Sequence, residues 1–184
     1  FTHDLHSHFL PLERADGGES GGYARLASAL KEERSAHPGA LTVDGGDFSV
    51  GSLIQTLYPT QAAELRTMGA MGYDAVTVGN HEFDYGMDRF LELTEMADFP
   101  YISANFNKDG ELVFDPYVIE EIEGVKIAFV GVTTPKTITS STPKYFQDDE
   151  GNFIYGFMQD ETGEKLYAAV QSAVDAAIAE GADY

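Results

Sequence analysis

Asp4, His6, Asp47 and Asn80 are the side chains of this sequence whose types and positions could hold metal ions. Asp4 and His6 end a short β-friendly run at residues 1–5; Asp47 follows the apolar run 40–43; Asn80 follows the run 75–78. In an open α/β sheet, ligands bind beyond the carboxyl ends of the strands, where the connecting loops converge. Residues two apart on a strand point the same way, so Asp4 and His6 are expected to reach one ion while Leu5 turns into the core. The chain contains no cysteine. Mixed Asp, His and Asn donors without thiolate suit manganese, zinc or iron, and a central carboxylate such as Asp47 can bridge two ions. Two divalent ions roughly 3.5 to 4 Å apart can clamp a phosphoryl group and generate a hydroxide nucleophile at neutral pH.

Charge agrees with that chemistry. The 184 residues include 11 Lys and Arg against 31 Asp and Glu, a formal net charge of −20. Such a field repels nucleic-acid backbones and anionic lipid, so neither nucleic acid nor a membrane is an expected partner. An anionic small molecule would need cations to mediate its approach, and bound metal would supply them. At 43% hydrophobic and 12% aromatic the chain is rich enough to fold around a core. No apolar run nears the roughly 20 residues that span a bilayer.

The elements that must position these residues alternate. After a polar loop at 13–22, Tyr23, Leu26, Ala27 and Leu30 recur at helical spacing until Pro38-Gly39. Further helical patterns cover 59–71, closed by Gly72, and 87–97, with Phe90, Leu91, Leu93, Thr94 and Ala97 as its buried stripe. A strand is expected at 101–104. Strands alternating with helices of this length predict an α/β domain with a largely parallel sheet. The segments 117–122 and 125–132 flank Gly124 and predict an antiparallel hairpin. Residues 133–163 are polar and long enough to be a functional or mobile loop. The last helix is expected at 164–180, burying Leu166, Ala169, Val170, Ala173, Val174, Ala177 and Ile178, with Gly181 as its stop. Another strand is due after it, but the sequence ends at Tyr184, which predicts an unpaired edge and either self-association through it or a poorly ordered last helix.

The motifs Asp4-x-His6, Gly46-Asp47 and Gly79-Asn80-His81-Glu82 resemble the signature of calcineurin-like metallophosphoesterases. The longer run from Gly79 through Phe83, Asp84, Tyr85 and Gly86 is similar to the 5'-nucleotidase and UDP-sugar hydrolase branch, as are Ser103-Ala104-Asn105 and Gly131-Val132-Thr133-Thr134-Pro135. Protein serine/threonine phosphatases as a family follow Gly-Asp with Asp-Arg, whereas Phe48-Ser49 follow here. The resemblance implies a layered metallophosphatase α/β sandwich with a mixed, mostly parallel sheet, incomplete at its C-terminus. Residues 1–184 would then be the N-terminal part of a catalytic domain, without its last strands or a substrate-binding domain.

By the same resemblance, Asp4 and His6 bind the first metal, Asp47 bridges both and Asn80 binds the second. His81 faces the phosphate or leaving oxygen, and Asp84 orients it; a helix N-cap is the rival role for Asp84. Glu82 reads as a structural carboxylate and Asp44 as a turn residue, while His3 and His8 read as residues around the ligands or on the surface. Gly45 and Gly46 are expected to allow close backbone approach.

The implied activity is dinuclear metal-dependent hydrolysis of nucleotide or related phosphate esters by a metal-bound hydroxide, in an extracytoplasmic setting. An upstream signal segment is expected too, since the chain opens at Phe1 without Met. Two departures concern substrate preference: His3 stands where that branch usually has Asn, and Ser7 where it usually has Gly. The family also adds downstream histidines, while the five here are His3, His6, His8, His37 and His81. The alternative is therefore a catalytically inert metal-binding or self-associating fragment.

Overall fold

In chain order a small hairpin, β1 (Leu12–Glu13) and β2 (Glu19–Ser20), precedes helix α1 (Tyr23–Ala36) and strand β3 (Val43–Asp44). A 3-10 turn at Leu53–Leu57 leads into α2 (Tyr58–Gln61), α3 (Ala63–Met71), β4 (Ala75–Val76) and, after a 3-10 turn at His81–Phe83, α4 (Met87–Thr94). Then come β5 (Asn107–Lys108), β6 (Glu111–Leu112), the hairpin β7 (Tyr117–Ile122) and β8 (Val125–Val130), α5 (Thr137–Ser140), β9 (Tyr155–Gly156) and α6 (Glu164–Ala179). The computed structural model describes residues 1–184.

The parallel layer forms, with short strands. β3 and β4 pair in parallel, Val43 opposite Ala75. Thr2 makes a parallel bridge to Asp44 on one side, and Tyr101 makes one to Val76 on the other. The order 2, 44, 76, 101 follows the sequence, with α1, α3 and α4 in the crossovers, so the loop after each step leaves from the same end of the layer. The strand expected at 101–104 is reduced to bridges at Tyr101 and Ile102. Beyond them the backbone is taken by other partners: Ser103 N–H donates to the Asp115 carbonyl and Ala104 N–H to that of Gly131.

The first segment corrects the sequence reading. Asp4 and His6 do not lie on a strand; Asp4, His6 and Ser7 have φ of 53, 45 and 53°, in the left-handed region. The chain leaves the sheet after Thr2 and runs beside the next loop, with amides of Asp4, His6 and Ser7 donating to the carbonyls of Gly46, Asp47 and Phe48. Those loop-to-loop bonds, rather than strand alternation, set where Asp4 and His6 point.

The helix expected at 59–71 is broken. Ala62 sits at φ 47° between α2 and α3, which lets Tyr58 bury completely with its ring 6.0 Å from that of Phe48. The helix expected at 87–97 ends at Thr94, and it buries Met87, Phe90 and Leu93.

The stretch 133–163 is not simply a polar loop. It contains α5, a 3-10 turn at Pro143–Phe146 and β9, which pairs with β5. Phe146 and Phe157 are fully buried, each with its ring within 6 Å of Phe83. Phe83 also meets Phe90 at 4.8 Å and Phe106 at 5.4 Å. An aromatic cluster thus assembles around the residue that follows Glu82, and it anchors the His81–Phe83 turn from below.

The hairpin forms as expected in antiparallel register, Tyr117 opposite Val130. α6 buries Ala173 and Ala177, but Ile178 is 62% exposed, so the predicted apolar face is only partly covered. Ile178 lines a cavity with Val130, Val174 and Tyr184. The Asp183 and Tyr184 amides donate to the Lys126 carbonyl, and the Ala128 amide donates to that of Tyr184. Pairing on the edge of β8 therefore begins where a strand was expected. No helix is long and apolar enough to cross a membrane.

Candidate metal centre

Three loops build the site, and they touch through glycine. Gly46 has φ 92°, and a Cβ there would lie 2.3 Å from the Gly79 amide nitrogen; a Cβ on Gly79 would lie 2.3 Å from Asp47 Oδ1. Only at glycine can two backbones approach this closely. The expectation of close approach at Gly46 therefore holds.

His6 and Asp4 meet directly, with Nε2 3.3 Å from Asp4 Oδ1. His6 Nδ1 lies 2.7 Å from the Val50 carbonyl oxygen. A carbonyl only accepts, so Nδ1 carries a hydrogen, and Nε2 is the ring nitrogen turned toward Asp4. Nε2 and a carboxylate oxygen thus converge on one point, where a cation can bind between them. Metal-binding imidazoles are characteristically oriented in this way, by a hydrogen bond from the other ring nitrogen. His3 Nδ1 is also within hydrogen-bond distance of Asp4 Oδ2, and chiefly for this reason the Asp4 carboxyl titrates below the ordinary Asp range.

Asp47 has φ 56°, and its Oδ1 accepts the His81 amide at 2.8 Å. Asn80 starts the 3-10 turn, and its side chain makes no capping hydrogen bond. The His6 and His81 rings stand edge to face, 5.2 Å apart. His81 Nδ1 lies 2.7 Å from Asp84 Oδ2. The N-cap of α4 is Gly86, so Asp84 serves the imidazole and not the helix. All six predicted site residues thus sit on three adjoining loops. No three His, Asp or Glu side chains close into a cage; the carboxylates and imidazoles meet in pairs, and Asn80 precedes His81 on the same turn. The donor types and the His6 tautomer fit divalent ions of the manganese, zinc or iron kind.

Glu82 is structural, as expected, and central. It is fully buried, and its Oε2 accepts the amides of Asp47 at 3.0 Å and Gly79 at 2.6 Å. Burial, reinforced by the nearby Asp47 charge, raises its pKa to about 8. Asp44 is more than a turn residue: it is buried and accepts from the Thr2 hydroxyl and the Gly46 amide. Burial lifts its pKa to about 6. Thr133 Oγ1 donates to the Val78 carbonyl just ahead of Gly79, and Asn105 holds both the amide and the carbonyl of Thr133. These bonds account for the Ser103-Ala104-Asn105 and Thr133 motifs as supports beneath the site.

Sequence reasoning tied Ser7 to substrate preference and missed Glu64, yet the two are fully buried polar side chains joined by a hydrogen bond. The available signal was Glu64 itself, a charge beside Leu65 and one turn before Met68 on a helix face that is otherwise apolar.

The family model for calcineurin-like phosphoesterase matches residues 2–173. Protein UshA of Salmonella pullorum is 35% identical over 151 residues, which cover 81% of this chain and 27% of that protein. The 5'-nucleotidase of Vibrio vulnificus is 36% identical over 149 residues, covering 78% of this chain and 26% of that one. The chain thus spans about a quarter of the length of the curated relatives it matches. Among solved structures, Haemophilus influenzae NAD nucleotidase superposes with a TM-score of 0.78 at 29% identity, covering 99% of this chain and 32% of that one. The match across nearly the whole chain, together with the loops bearing Asp4, Asp47 and Asn80, means that the chain belongs to the calcineurin-like phosphoesterase family.

Proposed function

We propose that this chain provides part of the active centre of a dinuclear metal-dependent phosphoesterase of the 5'-nucleotidase type, acting on nucleotides or related small phosphate esters. The observation that carries the reading is the meeting of Asp4, His6, Asp47, Asn80 and His81 on three adjoining loops, with His6 Nε2 and Asp4 Oδ1 3.3 Å apart. Asp4 and His6 would hold one ion, Asn80 another, and Asp47 both. Such ions supply charge for the phosphoryl oxygens and lower the pKa of an attacking water.

The chain's own residues supply the rest. Asp84 fixes the His81 ring through Nδ1, leaving Nε2 to hold or deliver a proton at the leaving oxygen. Val50 holds the His6 tautomer. Glu82 keeps the Asp47 and Gly79 loops together. An extracytoplasmic setting, and self-association along the edge of β8, belong to the same reading; sedimentation at micromolar concentration tests the second.

The deciding experiment assays the intact gene product on nucleoside monophosphates, nucleotide sugars and cyclic nucleotides, with and without manganese. Metal-dependent turnover is expected on at least one class, and its absence on all of them would end this reading. A second reading rests on one observation: none of the five histidines lies beyond His81. On that reading residues 1–184 alone bind metal weakly and turn over little or nothing. Calorimetric titration of the chain with manganese discriminates, two tight sites counting against it.

A further inference from the structure

Ser7 is bound on all three of its polar groups, and these bonds tie it to the loop of residues 48–52 and to α3. Its amide donates to the Phe48 carbonyl at 2.8 Å, in the loop that carries Asp47. Its carbonyl accepts from the Ser52 hydroxyl. Its own hydroxyl donates to Glu64 Oε1 at 2.5 Å, in the first turn of α3. Ser7 is fully buried and follows His6 directly, both residues in the left-handed region at φ 53° and 45°. Those conformations are unfavourable for residues other than glycine and persist only when the surroundings impose them.

Glu64 is hard to explain as a contribution to stability. It is fully buried beside Leu65 and Met68, and its Oε2 has no hydrogen-bond partner. A buried carboxylate with a single hydrogen bond is expensive, and apolar residues of the same volume are commonly neutral or better for the fold. The side chain that this carboxylate holds is the Ser7 hydroxyl. Ser7 in turn closes a loop whose His6 amide donates to the Asp47 carbonyl at 3.1 Å, whose His6 ring meets the Val50 carbonyl and whose His6 backbone packs on Gly51.

We propose that the Ser7–Glu64 pair is a positioning strut, which fixes the loop bearing Asp4 and His6 against the loop bearing Asp47 and so sets the spacing of the metal ligands. Neither residue touches substrate or metal; both act through the loop. The inference rests on the metal-site reading above for its purpose, but its geometric content can be tested without metal.

The experiment compares the full chain with three variants: Ser7→Ala, the apolar double variant Ser7→Ala/Glu64→Met, and Glu64→Gln. Amide hydrogen exchange of His6 and Ser7 is measured in chelator and referred to the Met68 amide in α3. The double variant removes both polar partners at once, so the fold should tolerate it. Expected is at least about tenfold faster exchange at His6 and Ser7 with Met68 unchanged, whereas Glu64→Gln, whose amide oxygen can still accept the hydroxyl, keeps the original protection. Manganese affinity by calorimetry should fall roughly 10-fold or more in the double variant, the range usual for residues that orient metal ligands. Exchange at His6 and Ser7 that stays unchanged, or that rises only in step with Met68, overturns the strut. A parent chain that binds no manganese but shows the local exchange effect supports the strut and instead counts against the metal-site reading.

Discussion

Gly46 and Gly79 come from loops 33 positions apart, yet a Cβ on the first would lie 2.3 Å from the amide nitrogen of the second. Asp47 follows Gly46, and Asn80 follows Gly79, so this one contact fixes the distance between two proposed ligands. Gly46→Ala meets both obstacles at once: φ is 92°, and the new methyl group runs into backbone that cannot rotate away. The expected loss is on the order of 3 kcal/mol of stability. Metal-dependent activity should fall further than stability alone explains. A thermal melt and a manganese titration check this together, and a variant that melts and binds like the parent would show that the loops are not in contact in solution.

The His81–Asp84 pair can be separated from the fold. Asp84 Oδ2 holds His81 Nδ1 at 2.7 Å, and both side chains are about two-thirds buried. Asp84→Asn keeps the shape but no longer favours an Nδ1 hydrogen. Turnover by the intact gene product should drop about 10- to 100-fold with KM little changed, as when the orienting partner of a working imidazole is lost. His81→Gln should cost about 100-fold or more, the share usual for a proton donor at the leaving group. Equal activity in Asp84→Asn and the parent would assign Asp84 no part in the reaction.

Much of this arrangement is legible in the sequence, because the chemistry-bearing residues follow apolar runs and the helices α1, α4 and α6 show their periodicity. The paths of the loops are not legible. The sequence reading put Asp4 and His6 on the same side by strand alternation; the structure brings them together through left-handed turns held by the carbonyls of Gly46, Asp47 and Phe48. Such bonds join positions about 40 apart and leave no local pattern. The same holds for Ala62, whose left-handed turn breaks an otherwise continuous helical pattern, and for Phe146 and Phe157, which lie in a polar stretch and become core only once Phe83 is beside them. Local periodicity reports which face is apolar. It does not report which distant backbone captures a loop.

Phe83 should couple the core to the site. It is fully buried, with rings of Phe90, Phe106, Phe146 and Phe157 within 6 Å, and it ends the turn that begins with His81. Phe83→Ala should cost about 3 to 5 kcal/mol, the usual range for emptying an aromatic site in a core. Phe83→Leu fills most of the volume and should lose less. Denaturant unfolding orders the two variants; a loss below 1 kcal/mol for the alanine variant would show that the cluster can collapse around the gap.

The last prediction concerns pH. Asp44 is buried, and its folded pKa is raised to about 6 from the ordinary 3.8; Glu82 is raised to about 8 from 4.5. In both cases burial is the main cause. A raised carboxylate pKa means that the folded chain binds protons more tightly than the unfolded one between the two values. Stability must therefore fall as pH rises through that window, the reverse of an ion-paired carboxylate. For Asp44 the window runs from about 4 to 6, and the shift of about two units corresponds to roughly 3 kcal/mol. For Glu82 it runs from about 4.5 to 8. In chelator, the chain should accordingly be more stable near pH 5 than near pH 8.5, and relief of repulsion at a net charge of −20 acts in the same direction. Asp44→Asn keeps an acceptor for the Gly46 amide and can still pair with the Thr2 hydroxyl. It should reduce the slope between pH 4 and 6, where Glu82 still contributes from about 4.5, and leave unchanged the part between 6 and 8, which belongs to Glu82 alone. Urea midpoints measured across this range decide it, and a chain whose stability climbs from pH 5 to 8.5 would mean that neither carboxylate is buried as described.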